Sequence, residues 1–173
     1  CQTLSGKYGS RQVFVEIDFR NAFNTLRRDS ILEAVPKHFP ELLSFTISSI
    51  GSPSNLQFGD YMLLSDEGAQ QGDPLGPLYF CLAFIELLQS LKSELTLGYL
   101  DDVAMGGDAK TVLEDFLHLE ATAKEFGLEL NRSKCEVVGH TEETRRLFAT
   151  QSVILSETRM SSVILLGAPL SAG

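Results

Sequence analysis

Val13, Val15 and Ile17 alternate with Phe14, Glu16 and Asp18, a period of two that predicts a strand over 13–18. A short helix is expected near 30–35, where Ser30 and Glu33 form a capping-box pattern and Pro36 ends the element. A second apolar-periodic stretch covers 41–50 and closes at Gly51 and Pro53. Residues 55–64 read as two short strands that turn near Gly59-Asp60. The longest helical pattern begins after Asp73, with Asp73 as cap and Pro74 at the first helical position. Its apolar stripe is Leu75, Leu78, Tyr79, Leu82, Ile85, Leu88 and Leu91.

Residues 95–105 are apolar around one polar pair and stop at Gly106-Gly107, which predicts a hairpin with Asp101-Asp102 at its tip. A further helix over 108–126 has Asp108 as cap, a stripe of Val112, Leu113, Phe116, Leu119 and Ala123, and Gly127 as stop. Residues 128–130 and 134–138 read as strand pieces, 141–148 as a short helix and 163–166 as a last strand. The main elements run β-α-β-β-α-β. This is the α+β, split βαβ pattern of an antiparallel sheet with helices on one face. Residues 20–70 are an insertion between the first strand and its helix.

At 173 residues one domain over 1–173 is expected. No apolar run reaches the roughly 18 residues of a membrane span, so no membrane partner is expected. The first nine residues lack the apolar core of a signal peptide. Cys1, Cys81 and Cys135 form no Cys-x-x-Cys pair, and His38, His118 and His140 are scattered. Reduced thiols in an intracellular protein are the expectation. Because the chain opens on Cys1 and not on Met, it reads as a piece of a longer protein. Fourteen Lys and Arg against 23 Asp and Glu give a net charge of −9. That balance argues against a basic domain held on nucleic acid by bulk charge.

Three of the acids stand inside apolar surroundings. Asp18 ends the first strand, and Asp101 and Asp102 separate Leu97-Gly98-Tyr99-Leu100 from Val103-Ala104-Met105. In a split βαβ fold the first strand neighbours the middle hairpin, so these carboxylates meet at one edge. Clustered like charges repel unless something positive joins them. Mg²⁺ suits such a site, since it takes oxygen ligands from one or two carboxylates plus substrate phosphates. Two such ions about 3.5–4 Å apart serve phosphoryl transfer. Asp is also an ordinary turn residue, so Asp101-Asp102 alone reads as a plain hairpin tip. The stretch Gln70-Gln71-Gly72-Asp73-Pro74-Leu75-Gly76-Pro77 adds weight. A helix start explains Asp73 and Pro74; Gln71, Gly72 and Gly76 suit the close approach of another backbone or a base.

Asp18-Phe19-Arg20-Asn21-Ala22-Phe23, Gln71 to Pro77, Tyr99-Leu100-Asp101-Asp102 and Gly127 to Lys134 follow one another in order. On these four motifs, and more weakly on Leu165-Leu166-Gly167, the chain resembles the palm of a reverse transcriptase, an RNA-directed DNA polymerase. It is most similar to those of non-LTR (LINE-type) retrotransposons, over about 13–170. The resemblance implies that Asp18, Asp101 and Asp102, with the Phe19 carbonyl, hold two Mg²⁺, with Mn²⁺ as substitute. It implies a substrate-binding stretch of Phe19, Arg20, Asn21, Ala22 and Phe23. Arg20 and Asn21 would lie near the triphosphate and Phe23 would be a steric gate against the 2′-hydroxyl. It further implies Gln71 and Gly72 along the template and the nascent base pair, Tyr99 near the primer end and Lys134 as the group that protonates or neutralises the leaving pyrophosphate. The partners implied are an RNA template, a DNA primer and dNTPs. Two rival readings are a group II intron or retron-type reverse transcriptase and a truncated, inactive retroelement remnant. Basic fingers motifs and a thumb, expected from the parent polyprotein, are not recognisable in the sequence.

Overall fold

The alternating stretch forms the middle strand of a five-stranded sheet. The computed structural model describes residues 11–69, 72–139 and 141–156, with the backbone of Ile164–Leu165 and Ala168–Pro169. In chain order the elements begin with β1 (Gln12–Ile17), α1 (Ala22–Thr25), α2 (Arg28–His38), a 3-10 turn (Pro40–Leu42) and α3 (Leu43–Ile50). Next come β2 (Ser54–Phe58), β3 (Tyr61–Ser65), α4 (Gly76–Gln89), β4 (Leu95–Tyr99), β5 (Asp102–Asp108) and α5 (Ala109–Ala123). After 3-10 turns and short loops, β6 (Glu136–Gly139), α6 (Glu142–Arg146), β7 (Ile154–Ser156), β8 (Ile164–Leu165) and β9 (Ala168–Pro169) follow. Contacts divide the chain into two compact units, one of 1–19, 90–121 and 130–173, the other of 20–89 and 122–129.

The first unit holds the sheet, in the order β4-β5-β1-β6-β7. The first three pairings are antiparallel, as the split βαβ pattern predicts. β7, which the sequence pattern does not reveal, adds in parallel to β6. Directly paired residues share a face. One face therefore carries Val13, Val15 and Ile17 beside Met105, Val103 and Val137, all buried. The other carries Phe14 and Glu16 beside Gly106, Ala104, Val138 and Glu136, and reaches Leu95 and Leu97 on the edge strand. Charged positions of β1, β5 and β6 thus fall on the second face, while the first carries Thr96, paired with Met105, among its apolar residues. Helix α5 keeps the expected stripe, with Val112, Phe116, Leu119 and Ala123 fully buried. Asp108 accepts from the Lys110 amide at 3.1 Å, the expected cap.

In the second unit α2 packs against α3 and α4. Two local expectations fail in α2. The helix starts at Arg28, and Ser30 lies within it, so there is no Ser30–Glu33 capping box. Pro36 lies inside the last turn and does not end the helix. A proline so near the C-terminus removes one backbone bond, and the burial of Ile31, Ala34 and Val35 outweighs that loss.

Helix α4 begins at Gly76, two residues later than expected. Asp73 makes the turn before it, its Oδ1 accepting from Leu75 N at 2.9 Å and its carbonyl from Gly76 N at 3.0 Å. Its inward face is also rotated. Phe80, Ala83, Phe84 and Leu87 are buried with Tyr79 and Leu82, whereas Ile85 is exposed. Phe80 lies between Phe23 and Phe84, at ring separations of 5.6 and 5.7 Å, and these large rings turn the helix. The predicted hairpin of 55–64 is β2–β3, with Gly59-Asp60 at its turn.

Phe116 is wholly buried, edge-on to Phe148 at 6.3 Å and beneath the Arg132 guanidinium. Phe116→Ala is expected to cost about 3–5 kcal/mol of unfolding free energy in urea melts. Leu117→Ala, one residue further on an exposed face, is expected to stay within about 0.5 kcal/mol.

Candidate active site

Every carboxylate of the candidate site sits at one end of the sheet's polar face, within the first unit. β1 and β5 are paired from Gln12↔Asp108 to Ile17↔Val103. One step further, Asp18 falls opposite Asp102, and Tyr99 pairs with Asp102 from the edge strand. Glu16, Asp18, Leu97, Tyr99, Asp102, Ala104 and Lys134 line one open cleft of about 370 Å³. Asp101 is the second loop residue of the β4–β5 hairpin. The first, Leu100, has φ 55°, in the left-handed region. Two-residue hairpin loops with that conformation at their first position ordinarily take Gly there, so the leucine is held with some strain. That strain lies directly beside the two acids.

The loop after α5 ties the Asp18 end of the strand in place. Asn131 N donates to the Asp18 carbonyl at 2.8 Å, and Phe19 bridges to Leu130. The Asn131 carbonyl in turn accepts from Lys134 N at 2.8 Å, so one tight turn holds Lys134 at the cleft. Arg132 anchors this turn through two bonds to Glu120 and one to the Gln151 carbonyl.

The cleft is short of positive charge. Asp102 is held above the ordinary carboxylate range by burial first, then by Asp101 and by Asp18. Asp18 Oδ1 is buried and has no hydrogen-bond partner among the described residues. Among those residues no group of three or more His, Cys, Asp and Glu is drawn together as a ready metal cage. Asp18 and Asp102 in one cleft, with Asp101 near enough to raise Asp102, nonetheless offer oxygen donors of the kind a hard divalent cation takes.

The remaining expected residues fall in different surroundings. Phe19 is buried, with its backbone in the bridge to Leu130. Arg20, exposed, pairs with Glu129 at 3.3 Å. Asn21 is exposed with φ 46°, and its carbonyl accepts from Asn24 N and Thr25 N. Ala22 is buried in the first turn of α1. Phe23 is half-buried and stacks nearly parallel on Phe80. Arg20 to Phe23 belong to the second unit. Gly72, with φ +91°, has open space where a Cβ would stand, so its conformation and not crowding calls for glycine. Gln71 lies outside the described residues.

Glu16 was not singled out from the sequence, where it reads as the polar half of an alternating strand. It lines the cleft, and across β6 it sits directly opposite Glu136. Burial, then Glu136 and Asp102, push its carboxyl upward. The one available signal was its place two residues before Asp18, on the same strand face.

A sheet of this order with carboxylates at the β1 and β4–β5 ends defines a polymerase palm. The telomerase of Candida tropicalis in complex with the TWJ fragment of telomeric RNA has the same fold, with TM-score 0.66 and 11% identity over 97% of this chain and 29% of that one. Truncated apo telomerase from the same yeast matches with TM-score 0.58 and 16% identity over 76% of this chain and 31% of that one. The chain belongs to the reverse transcriptase (RNA-dependent DNA polymerase) family, whose model matches residues 2–167. It is 27% identical to the retrovirus-related Pol polyprotein of the type-2 retrotransposable element R2DM from Drosophila melanogaster, over 71% of this chain. The chain spans 13% of that relative's length.

The raised Glu16 carboxyl has a consequence for stability. The folded chain binds this proton more tightly than the unfolded chain, so stability falls as pH rises from the ordinary carboxylate range through the raised value. Without divalent cation, Glu16→Gln is expected to melt at a higher temperature than the parent near neutral pH. The gap should close by about pH 3, where both states are protonated. An equal gap at both pH values would count against charge repulsion as its cause.

Proposed function

We propose that this chain is the catalytic palm of an RNA-directed DNA polymerase and that residues 1–173 form one palm domain within it. The substrates are a dNTP and a DNA primer annealed to an RNA template. The primer 3′-oxygen forms a bond to the α-phosphorus, the bond to the bridging oxygen breaks, and pyrophosphate leaves. The observation that carries this reading is the cleft in which Asp18 and Asp102 meet beside Lys134, with one Asp18 oxygen lacking a hydrogen-bond partner among the described residues.

The chain's own groups divide the work. Asp18, Asp101, Asp102 and the Phe19 carbonyl would hold two Mg²⁺, or Mn²⁺ in their place. When bound, such ions stabilise the charge that develops on the phosphate oxygens and lower the pKa of the attacking hydroxyl. Lys134, presented by the Asn131 turn, delivers a proton to the departing pyrophosphate. Tyr99 supports the primer end, and Gln71 and Gly72 follow the template. Arg20, Asn21 and Ala22 border the triphosphate, and the Phe23 ring excludes a 2′-hydroxyl. Much of the rate then comes from position and preset charge, since phosphoryl transfer needs little covalent help from protein. The R2DM relative supports a role in retrotransposition of the non-LTR type.

Primer extension on an RNA template with Mg²⁺ tests this. Activity is expected when the chain is joined to fingers and thumb regions, and Asp101→Asn or Asp18→Asn is expected to lower it by at least about a hundredfold. Robust synthesis by Asp101→Asn would sink the metal assignment. Phe23→Val is expected to raise the use of ribonucleotides relative to deoxynucleotides. A ratio equal to the parent's would remove Phe23 as the gate.

A further inference from the structure

A cation is buried in the second unit without a carboxylate partner among the described residues. Arg28, 6% exposed, lies in the first turn of α2. Its Nε donates to the Gly68 carbonyl at 3.3 Å, one terminal nitrogen to the Ser65 carbonyl at 2.9 Å, and the other to Ser65 Oγ at 2.9 Å. Among the described residues it makes no ion pair, although Asp66 and Glu67 stand exposed in the same loop. Burying a guanidinium against neutral acceptors is costly, and arginine is rarely found so deep unless paired. Filling space would need only an apolar chain; what the guanidinium adds is a rigid fork of donors on one loop.

That loop is also bonded to the residues just ahead of Arg28. Gly68 N donates to the Leu26 carbonyl at 2.8 Å, and Ala69 N donates to the carbonyl of Phe23 itself at 2.9 Å. Gly68 has φ +75°, and a Cβ there would stand 2.6 Å from the Asn24 carbonyl oxygen. The loop over 65–69 therefore lies flat against α1. Helix α1 is four residues long and has no side-chain N-cap. So short a helix does not hold its own shape. Its support comes from the 65–69 loop and from the Phe23–Phe80 stack, and Arg28 holds that loop through Ser65 and Gly68.

We infer that Arg28 is a positioning residue for Phe23, holding the 65–69 loop against α1 so that the ring keeps the attitude that discriminates between sugars. The inference rests on the reading of Phe23 as the gate. Arg28 touches no substrate. Its effect travels through the Ser65 and Gly68 bonds to the Ala69–Phe23 bond, all within one compact unit.

The test is the ratio of kcat/KM for a dNTP to that for the matching ribonucleotide, in the form of the protein that extends primers. Phe23→Val is the reference variant. Arg28→Met is expected to lower the ratio by about tenfold, since small displacements of a selecting group are felt strongly, with a smaller loss of dNTP use. Arg28→Lys, which keeps the charge but not the fork, should fall between. A merely structural role would depress both sugars equally and leave the ratio alone, and that result overturns the inference. Should Arg28→Met not fold, Ser65→Ala removes a single bond of the grip and is expected to lower the ratio roughly threefold. An unchanged ratio in Ser65→Ala then overturns the inference. If Phe23→Val itself leaves the ratio intact, the gate reading fails, a result distinct from an intact ratio in the Arg28 and Ser65 variants alone.

Discussion

The antiparallel register of β1 against β5 decides where every acid in the cleft falls. Pairing Ile17 with Val103 brings Asp18 level with Asp102, and pairing Glu16 with Ala104 turns Glu16 to the same face. A slip of one residue would move each of these side chains to the other face of the sheet. Asp18 would then enter the layer that holds Val13, Val15 and Met105. Burying a carboxylate there is prohibitive, so the apolar face and the acidic cleft enforce the same register from opposite sides. The β1–β6 pairing extends this logic, because Val15↔Val137 and Glu16↔Glu136 keep apolar against apolar and acid against acid.

The result is a sheet whose two faces carry different loads. One is closed by apolar packing and stabilises the fold. The other gathers Glu16, Asp18 and Asp102, with Asp101 in the adjoining hairpin loop and, among the described residues, one lysine in the lining of the cleft, and works against it. The positive φ of Leu100 adds a second local cost at the hairpin tip. Charge repulsion and backbone strain in the same few residues mark a place where stability has been given up for arrangement. The Asn131–Asp18 bond and the Arg132 anchor hold that arrangement from the β6 side.

Much of this was legible in the sequence, for physical reasons that differ between elements. The period-two pattern of Val13 to Asp18 and the apolar runs around Asp101-Asp102 left little freedom in strand pairing, so the split βαβ order and the meeting of Asp18 with the hairpin followed. Helix α5 was legible because its stripe and its cap coincide. Helix α4 was legible as a helix but its inward face was not, since nearly all of its residues are apolar and more than one stripe fits. Aromatic volume at Phe80 and Phe84 chose between the stripes, and volume is invisible to a periodicity argument. Pro36 misled because its cost depends on how near the helix end it falls. β7 escaped notice since three residues carry almost no pattern. Glu16 was hidden by the regularity that made β1 readable: in an alternating strand a polar residue needs no explanation until the opposite Glu136 is known. Arg28 was hidden for a similar reason, as an arginine in an exposed-looking Arg-Arg-Asp-Ser run.

The chain's charges are handled in two opposite ways, and the contrast bears on how a polyanion would enter. Arg28 and Arg132 are consumed internally, the first by carbonyls and a hydroxyl, the second by Glu120 and Gln151. Arg20 and Lys37 are paired at the surface with Glu129 and Glu86. The acids of the cleft are left facing one another. With 23 acids against 14 basic residues, this surface repels phosphate as it stands. On the proposed reading, neutralisation of the cleft is then a condition for substrate entry as well as for chemistry. Asp18, Asp101 and Asp102 would then be the residues whose charge a bound cation offsets, and the acidity that first argued against nucleic acid would on that reading be compatible with it.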